Sequence, residues 1–310
     1  MKVVVKMIKV LNVTKKLDDH TALSDLSCEI PKGSVFGLIG PNGAGKSTFL
    51  RTITGVYQTN AGMITIDDVS VYENPEVKNR MIFVPDELYF LPGSNMKRME
   101  KMYNSIYSNF DSCRFEELTS IFKLDPNMNI NKFSKGMKRQ AAIILAMATK
   151  ADYLFFDETF DGLDPVKRNL VRNLIAEDAL ERNSTVIITS HSLRELEDTC
   201  DQLALLHDGG IVFESDVQNL KTSLFKVQIA FLEEYDQSKF AELDLLSYSK
   251  NGSVSNFIVR GEREITQDML AKQDPVLLEI LPLSLEEVFI HEMESVGYTF
   301  ADVLGGGDDV

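Results

Sequence analysis

The chain reads as an α/β fold. A mainly parallel sheet carries helices on both faces, a small antiparallel sheet leads into it, and a helical insert and a small α+β C-terminal domain complete it. Three observations predict this. Continuous apolar runs recur at 35–39, 81–85, 153–156 and 185–189, separated by stretches of helical period, the pattern of buried parallel strands and their crossover helices. A glycine-rich stretch at 40–48 joins the first of these runs directly to a helical segment. From about Ser223 the pattern changes to short alternating strands without helix-rich spacers.

In chain order, residues 3–10 and 22–30 predict two strands joined through a polar loop, forming the small antiparallel sheet. Val35-Phe36-Gly37-Leu38-Ile39 is the first buried strand, and Lys46 to Gly55 the helix after the glycines. Residues 62–67 and 81–85 are further strands. Between Asn95 and Lys150 the period becomes helical: Met96, Met99, Met102, Tyr103, Ile106 and Tyr107 form one stripe, Phe115, Leu118, Ile121 and Phe122 another. Both are read as core, methionine being an adaptable gap-filler. Tyr153 to Glu158 is a buried strand ending in two carboxylates. Residues 165–182 form a helix with Asp164 as cap and Pro165 in the first turn. Residues 185–191 form a β-branched strand ending in His191, and strands at 203–206 and 211–213 flank the turn Asp208-Gly209-Gly210. In the C-terminal unit residues 225–231 alternate, Asn251-Gly252 marks a hairpin, and Ser284 with Glu287 forms a capping box.

The chemistry concentrates in a few places. Gly40-Pro41-Asn42-Gly43-Ala44-Gly45-Lys46-Ser47-Thr48 fits G-x-x-x-x-G-K-[ST], between a strand and a helix as a phosphate-binding loop requires. Glycines permit the tight turn that aims several N–H groups into one hollow, and the helix N-terminus adds partial positive charge. Lys46 is expected on the β- and γ-phosphates and the Ser47 hydroxyl on Mg²⁺. Asp157 offers a hard oxygen ligand for Mg²⁺. Glu158, one residue further, is placed to accept a proton from water. His191 ends an apolar strand and, taken alone, reads as structural; its place in the order of motifs is what assigns it to the γ-phosphate. His20, His207 and His291 are read as structural.

Together these pieces resemble the ABC ATPases, P-loop hydrolases of membrane transporters. Phe133-Ser134-Lys135-Gly136-Met137-Lys138-Arg139-Gln140 is similar to their signature motif, Asp157-Glu158 to their Walker B pair, Gly162-Leu163-Asp164-Pro165 to their D-loop, and His191 to their switch histidine. The resemblance covers about residues 5–220. It implies ATP as the nucleotide and Mg²⁺ as the cofactor. It also implies that Ser134 and Gly136 serve the nucleotide held by a second ATPase subunit, identical or a paralogue, so that ATP joins two copies head to tail. Residues 281–289 and Val84-Pro85-Asp86-Glu87 are similar to the ABC-2-type drug, antibiotic and amphipathic-peptide exporters of Gram-positive bacteria. The implied partner is a separate transmembrane permease, docking near Asp86, Glu87, Tyr89 and Phe90 at the cytoplasmic face of the membrane.

The chain departs from the family pattern in three places. Leu17 stands where an aromatic often stacks on adenine, a loss of about 1–3 kcal/mol if nothing replaces it. Asp86 stands in place of the Q-loop glutamine and is expected to bind Mg²⁺. Lys135 replaces the first signature glycine, and Thr159-Phe160 follows Walker B.

Composition narrows the alternatives. Net charge is −15, with 6 basic against 17 acidic residues from Ser223 onward and 26 against 30 before it. A chain this acidic, lacking a basic stripe, is not expected to bind nucleic acid. That weighs against the alternative of a soluble ABC ATPase working on nucleic acid or ribosomes. The signature motif weighs against a small-molecule kinase. No apolar run approaches a membrane span and no signal peptide is evident. Cys28, Cys113 and Cys200 lack metal-ligand spacing and are expected as reduced, packed thiols. The expected organisation is a nucleotide domain at 1–222 with its insert at about 86–150, an accessory or regulatory domain at 223–303, and a flexible tail at 304–310.

Overall fold

The computed structural model describes residues 7–295 and residue 297, the side chains of 221 and 295 excepted. The expected tail at 304–310 and the first residues of the opening strand lie outside that range. The chain divides into two compact units, Met1–Glu214 and Ser215–Val310, against a boundary expected after residue 222.

The first unit opens with β1 (Met7–Leu17) and β2 (His20–Pro31), which pair antiparallel through to Leu17 opposite His20. The polar stretch 11–21, expected as a loop, is therefore strand on either side of a two-residue turn at Asp18-Asp19. Its charges sit on an exposed face, and bulges absorb the irregular pattern. Asn12 adopts φ 49° and its N–H donates to the Ser27 hydroxyl at 2.9 Å. β3 (Val35–Ile39) is buried along its whole length, as the β-branched and aromatic run predicts. The phosphate-loop helix α1 (Lys46–Ile53) follows it. β4 (Ala61–Ile66) and the short β5 (Val69–Ser70) complete the antiparallel sheet in the order β2-β1-β4-β5. One turn of helix, α2 (Pro75–Lys78), is capped by Asn74 and leads to β6 (Met81–Val84).

The helical insert contains α3 (Met96–Ile106), α4 (Ser112–Phe122) and α5 (Lys135–Ala148), capped by Asn95, Asp111 and Ser134. Met96, Met99, Phe115, Leu118 and Phe122 are core. Met102 and the tyrosines are half-buried, while Ile106 and Ile121 are exposed. The stripe is thus core only at Met96 and Met99, in the first turn of α3. α5 is buried almost throughout from Arg139 onward.

β7 (Tyr153–Asp157), α6 (Pro165–Arg182), β8 (Thr185–Ser190), α7 (Leu193–Glu197), β9 (Gln202–His207) and β10 (Gly210–Asp216) finish the sheet. Its order is β10-β9-β3-β8-β7-β6, and β9, β3, β8, β7 and β6 are mutually parallel. The C-terminal ends of β3, β6, β7 and β8 lie along one edge, where a parallel α/β sheet places its ligand crevice. Cys28 and Cys200 are buried, as expected. Cys113 is exposed, a correction, since it lies on the solvent side of the first turn of α4.

The second unit contains α8 (Val217–Ser223), β11 (Leu224–Ala230), β12 (Asp244–Asn251), β13 (Val254–Arg260), α9 (Arg263–Ala271), β14 (Leu277–Pro282) and α10 (Leu285–Ser295). Its sheet is antiparallel throughout, in the order β12-β13-β11-β14. The hairpin stands where expected, with Asn251 opposite Val254 and Gly252 at φ 63°. Phe225, Val227 and Ile229 alternate onto a core with Phe240, Phe257 and Val259. The Ser284 hydroxyl accepts from the Glu287 N–H and the Glu287 carboxylate accepts from the Ser284 N–H, the expected capping box.

Candidate nucleotide site

A cleft of about 400 Å³ opens at that sheet edge. The loop between β3 and α1 forms its floor through Pro41, Asn42, Gly43, Gly45, Lys46, Ser47 and Thr48, with Asp86 and Glu158 at one side and Leu17, His20 and Ala22 also on its wall. Gly45 caps α1 at φ 107°, and a Cβ there would stand 2.6 Å from the Ala22 carbonyl oxygen. Gly40 is confined equally, 2.4 Å from the Leu206 carbonyl oxygen. Only glycine fits such approaches. Because the cap has no side chain, no side-chain acceptor takes up the first-turn N–H groups of α1, which leaves them for an anion. Gly209 donates to the Ala44 carbonyl at 3.1 Å and pins the loop from the β9–β10 turn.

Lys46 is nearly buried. Its ammonium donates to the Gly40 carbonyl at 2.6 Å and the Pro41 carbonyl at 3.2 Å, and lies 3.4 Å from Glu158 Oε1. Glu158 sits just past the end of β7 at φ 47°, a left-handed conformation that is costly for a residue with a side chain. Its other oxygen is 3.0 Å from His191 Nδ1. The structure therefore places His191 on Glu158, where the sequence reading placed it on phosphate. The Thr189 hydroxyl binds both carboxylate residues, donating to Asp157 Oδ1 at 2.7 Å and accepting from the Glu158 N–H at 3.1 Å.

Asp157 is buried, and its Oδ2 has no hydrogen-bond partner. An unpaired carboxylate oxygen inside a protein is expensive unless a cation or an ordered water meets it. The described residues contain no cluster of three metal-ligating side chains. One carboxylate and the Ser47 hydroxyl nevertheless suit Mg²⁺, which keeps waters and takes substrate phosphates for its remaining positions. Asp86 is on the cleft wall, but its Oδ1 accepts from the buried Arg139 guanidinium at 2.6 Å. A cation at Asp86 would compete with that arginine.

Ser134 and Gly136 do not line this cleft. Ser134 caps α5 by accepting from the Met137 N–H at 3.2 Å. Gly136 packs on the loop between β7 and α6, where an added Cβ would be 2.7 Å from the Gly162 carbonyl oxygen. Tyr89 is 77% exposed, while Phe90 and Leu91 are half-buried. Residue-by-residue reading missed Thr189, His20 and Arg139. Thr189 stands two positions before His191 on the same strand end, a signal that was readable. His20 needed the Leu17–His20 pairing of the hairpin, and Arg139 needed the fold.

The comparisons with known proteins bear on the family and the fold. A family model described as ABC transporter matches residues 23–161. The ABC transporter ATP-binding protein YtrB of Bacillus subtilis (strain 168) is 30% identical over 284 residues, covering 92% of this chain and 97% of that protein. The bacitracin transport ATP-binding protein BcrA of Bacillus licheniformis is 29% identical over 221 residues, covering 69% of this chain and 71% of its own. A solved dimeric ATP-binding cassette in a post-hydrolysis state, bound to ADP and Pi, has a TM-score of 0.62 at 23% identity, covering 68% of this chain and 99% of that one.

Proposed function

The chain belongs to the ABC transporter ATPase family and hydrolyses ATP; from that premise we propose that it powers an exporter, as one of two ATPase subunits closing around ATP beneath a separate transmembrane permease. Its place would be the cytoplasmic face of the membrane and its cargo a drug, antibiotic or amphipathic peptide. The relative named for bacitracin transport and the C-terminal segment at 281–289 support that class of cargo. No described helix is long and apolar enough to cross a membrane; the permease on another chain is proposed from the family.

One observation carries the catalytic reading: Lys46 and Glu158 meet on the wall of one cleft, and His191, outside its lining, contacts the other oxygen of Glu158. ATP lays its phosphates along the loop N–H groups and Lys46, which stabilise charge on the oxygens as the terminal bond lengthens. Glu158 orients the attacking water and takes its proton, a role worth about 10²–10⁴ in rate. His191 holds the carboxylate in place, and Thr189 fixes the backbone beneath it. Mg²⁺, held by Asp157 and Ser47, would neutralise phosphate charge.

Purification of the full-length chain from detergent-solubilised membranes tests the exporter reading. The expected result is a complex with a polytopic membrane protein whose addition raises the ATPase rate. Recovery with ribosomes or nucleic acid, or a salt-dependent affinity for either, would replace it with a soluble role.

A further inference from the structure

Two of the chain's departures from the family pattern, Asp86 and Lys135, lie in one charge network. Lys135 is the first residue of α5, and its ammonium reaches Asp161 Oδ2 at 2.6 Å. The stem of Lys135 lies across Gly162, and Gly136 presses on the Gly162 carbonyl. One turn further along α5, Arg139 holds Asp86 and the Pro85 carbonyl. The first turns of α5 are thus tied to the loops after β7 and β6, and each loop places a carboxylate, Glu158 or Asp86, on the ATP cleft.

The path from Glu158 to Lys135 is short and stiff. The Asp161 N–H donates to the Glu158 carbonyl at 3.1 Å, closing a tight turn. Phe160 inside that turn is buried, and the Arg172 guanidinium lies over its ring at 5.7 Å. Movement of the Glu158 backbone therefore moves Asp161.

Fold stability does not explain Lys135. Its side chain is 71% exposed and that of Asp161 43% exposed, and such pairs contribute little. A cation at the start of a helix also opposes the macrodipole, an effect aggravated by Lys138 and Arg139 nearby. The hydrogen bond from Lys135 nonetheless holds the Asp161 carboxyl below its ordinary range, as an engaged pair requires.

We propose that Lys135 and Asp161 are positioning residues that transmit the state of the chain's own ATP cleft to the first turn of α5, and so set how strongly ATP drives pairing with a second copy. The inference rests on the paired-copy reading above.

The test uses the full-length chain carrying Glu158→Gln, expected to slow turnover at least about 10²-fold. Dilute single chains report ATP binding through a fluorescent analogue, and sedimentation velocity reports the ATP concentration at half-maximal pairing. Lys135→Ala and Asp161→Ala are each expected to raise that concentration about fivefold or more, with single-chain binding unchanged. The exchange Lys135→Asp with Asp161→Lys is expected to restore it. Three outcomes would overturn the proposal: single variants that pair normally, an exchange that restores nothing, or an Asp161→Ala that pairs more readily because a freed Lys135 binds phosphate directly. Equal weakening of single-chain binding would reduce the pair to a structural prop. Failure of the Glu158→Gln chain to pair at any ATP concentration would overturn the two-subunit reading itself.

Discussion

Replacing Glu158 by Gln should move binding and turnover in opposite directions. The Glu158 carboxylate lies 3.4 Å from the Lys46 ammonium, with side-chain exposures of 15% and 6%. At an effective dielectric constant near 20, that separation corresponds to about 5 kcal/mol of gross attraction. Desolvation of both charges offsets most of it, leaving about 1–2 kcal/mol by which Glu158 competes with phosphate for Lys46. The lysine is not orphaned by the change, since it keeps the Gly40 and Pro41 carbonyls. ATP affinity of the dilute chain should rise about 5–30-fold, while turnover falls at least about 10²-fold through loss of the base. Fluorescent-nucleotide titration measures the first quantity and phosphate release the second. Weaker binding together with near-normal turnover would refute both the competition and the catalytic role.

Thr189→Val strips a hydroxyl from the buried Asp157 Oδ1 and from the part-buried Glu158 N–H. The expected cost is about 2–4 kcal/mol, a fall in melting temperature of about 5–10 °C by calorimetry, with Thr189→Ser close to the unaltered protein. Gly136→Ala sets a Cβ 2.7 Å from the Gly162 carbonyl and forces the first turn of α5 outward. Single-chain ATP binding should survive and ATP-driven pairing should fail, as sedimentation would show. The third concerns pH and stability. Burial tends to raise the Asp67 carboxyl, but hydrogen bonds from Arg80 at 2.6 Å and from the Tyr153 hydroxyl at 2.8 Å outweigh it and hold the group below its usual range. Its stabilisation is therefore complete above the unfolded carboxylate value near 4 and is lost as pH falls through the lower folded value. Asp67→Asn should reduce the melting temperature by a few degrees at pH 7, and the difference should close in acid. An equal gap at both pH values would remove the ionic contribution.

The strand–loop–helix unit at 35–53, the carboxylate pair at 157–158, the Asp164 and Ser284 caps and the Asn251-Gly252 hairpin were legible in the sequence because each is a local contract. Glycine positions, apolar continuity and capping offsets involve residues within a few places of one another. The antiparallel hairpin at 11–21 was not legible, because its polar residues look like loop until bulges and a sheet partner absorb them. Nor were the contacts that give the site its electrostatics. Lys46, Glu158 and His191 are separated by more than a hundred residues from first to last, and parallel pairing of β3, β7 and β8 alone brings their ends together. The chain by itself determined which donors and carboxylates stand within a phosphate-loop pattern and at a strand end. Tertiary structure decided what each group touches: Thr189 under both carboxylates, His191 on Glu158, Arg139 on Asp86 and Lys135 on Asp161. The reason is physical, since a charge can be read from one residue, but its partner is chosen by sheet register and helix packing, which only the folded chain sets.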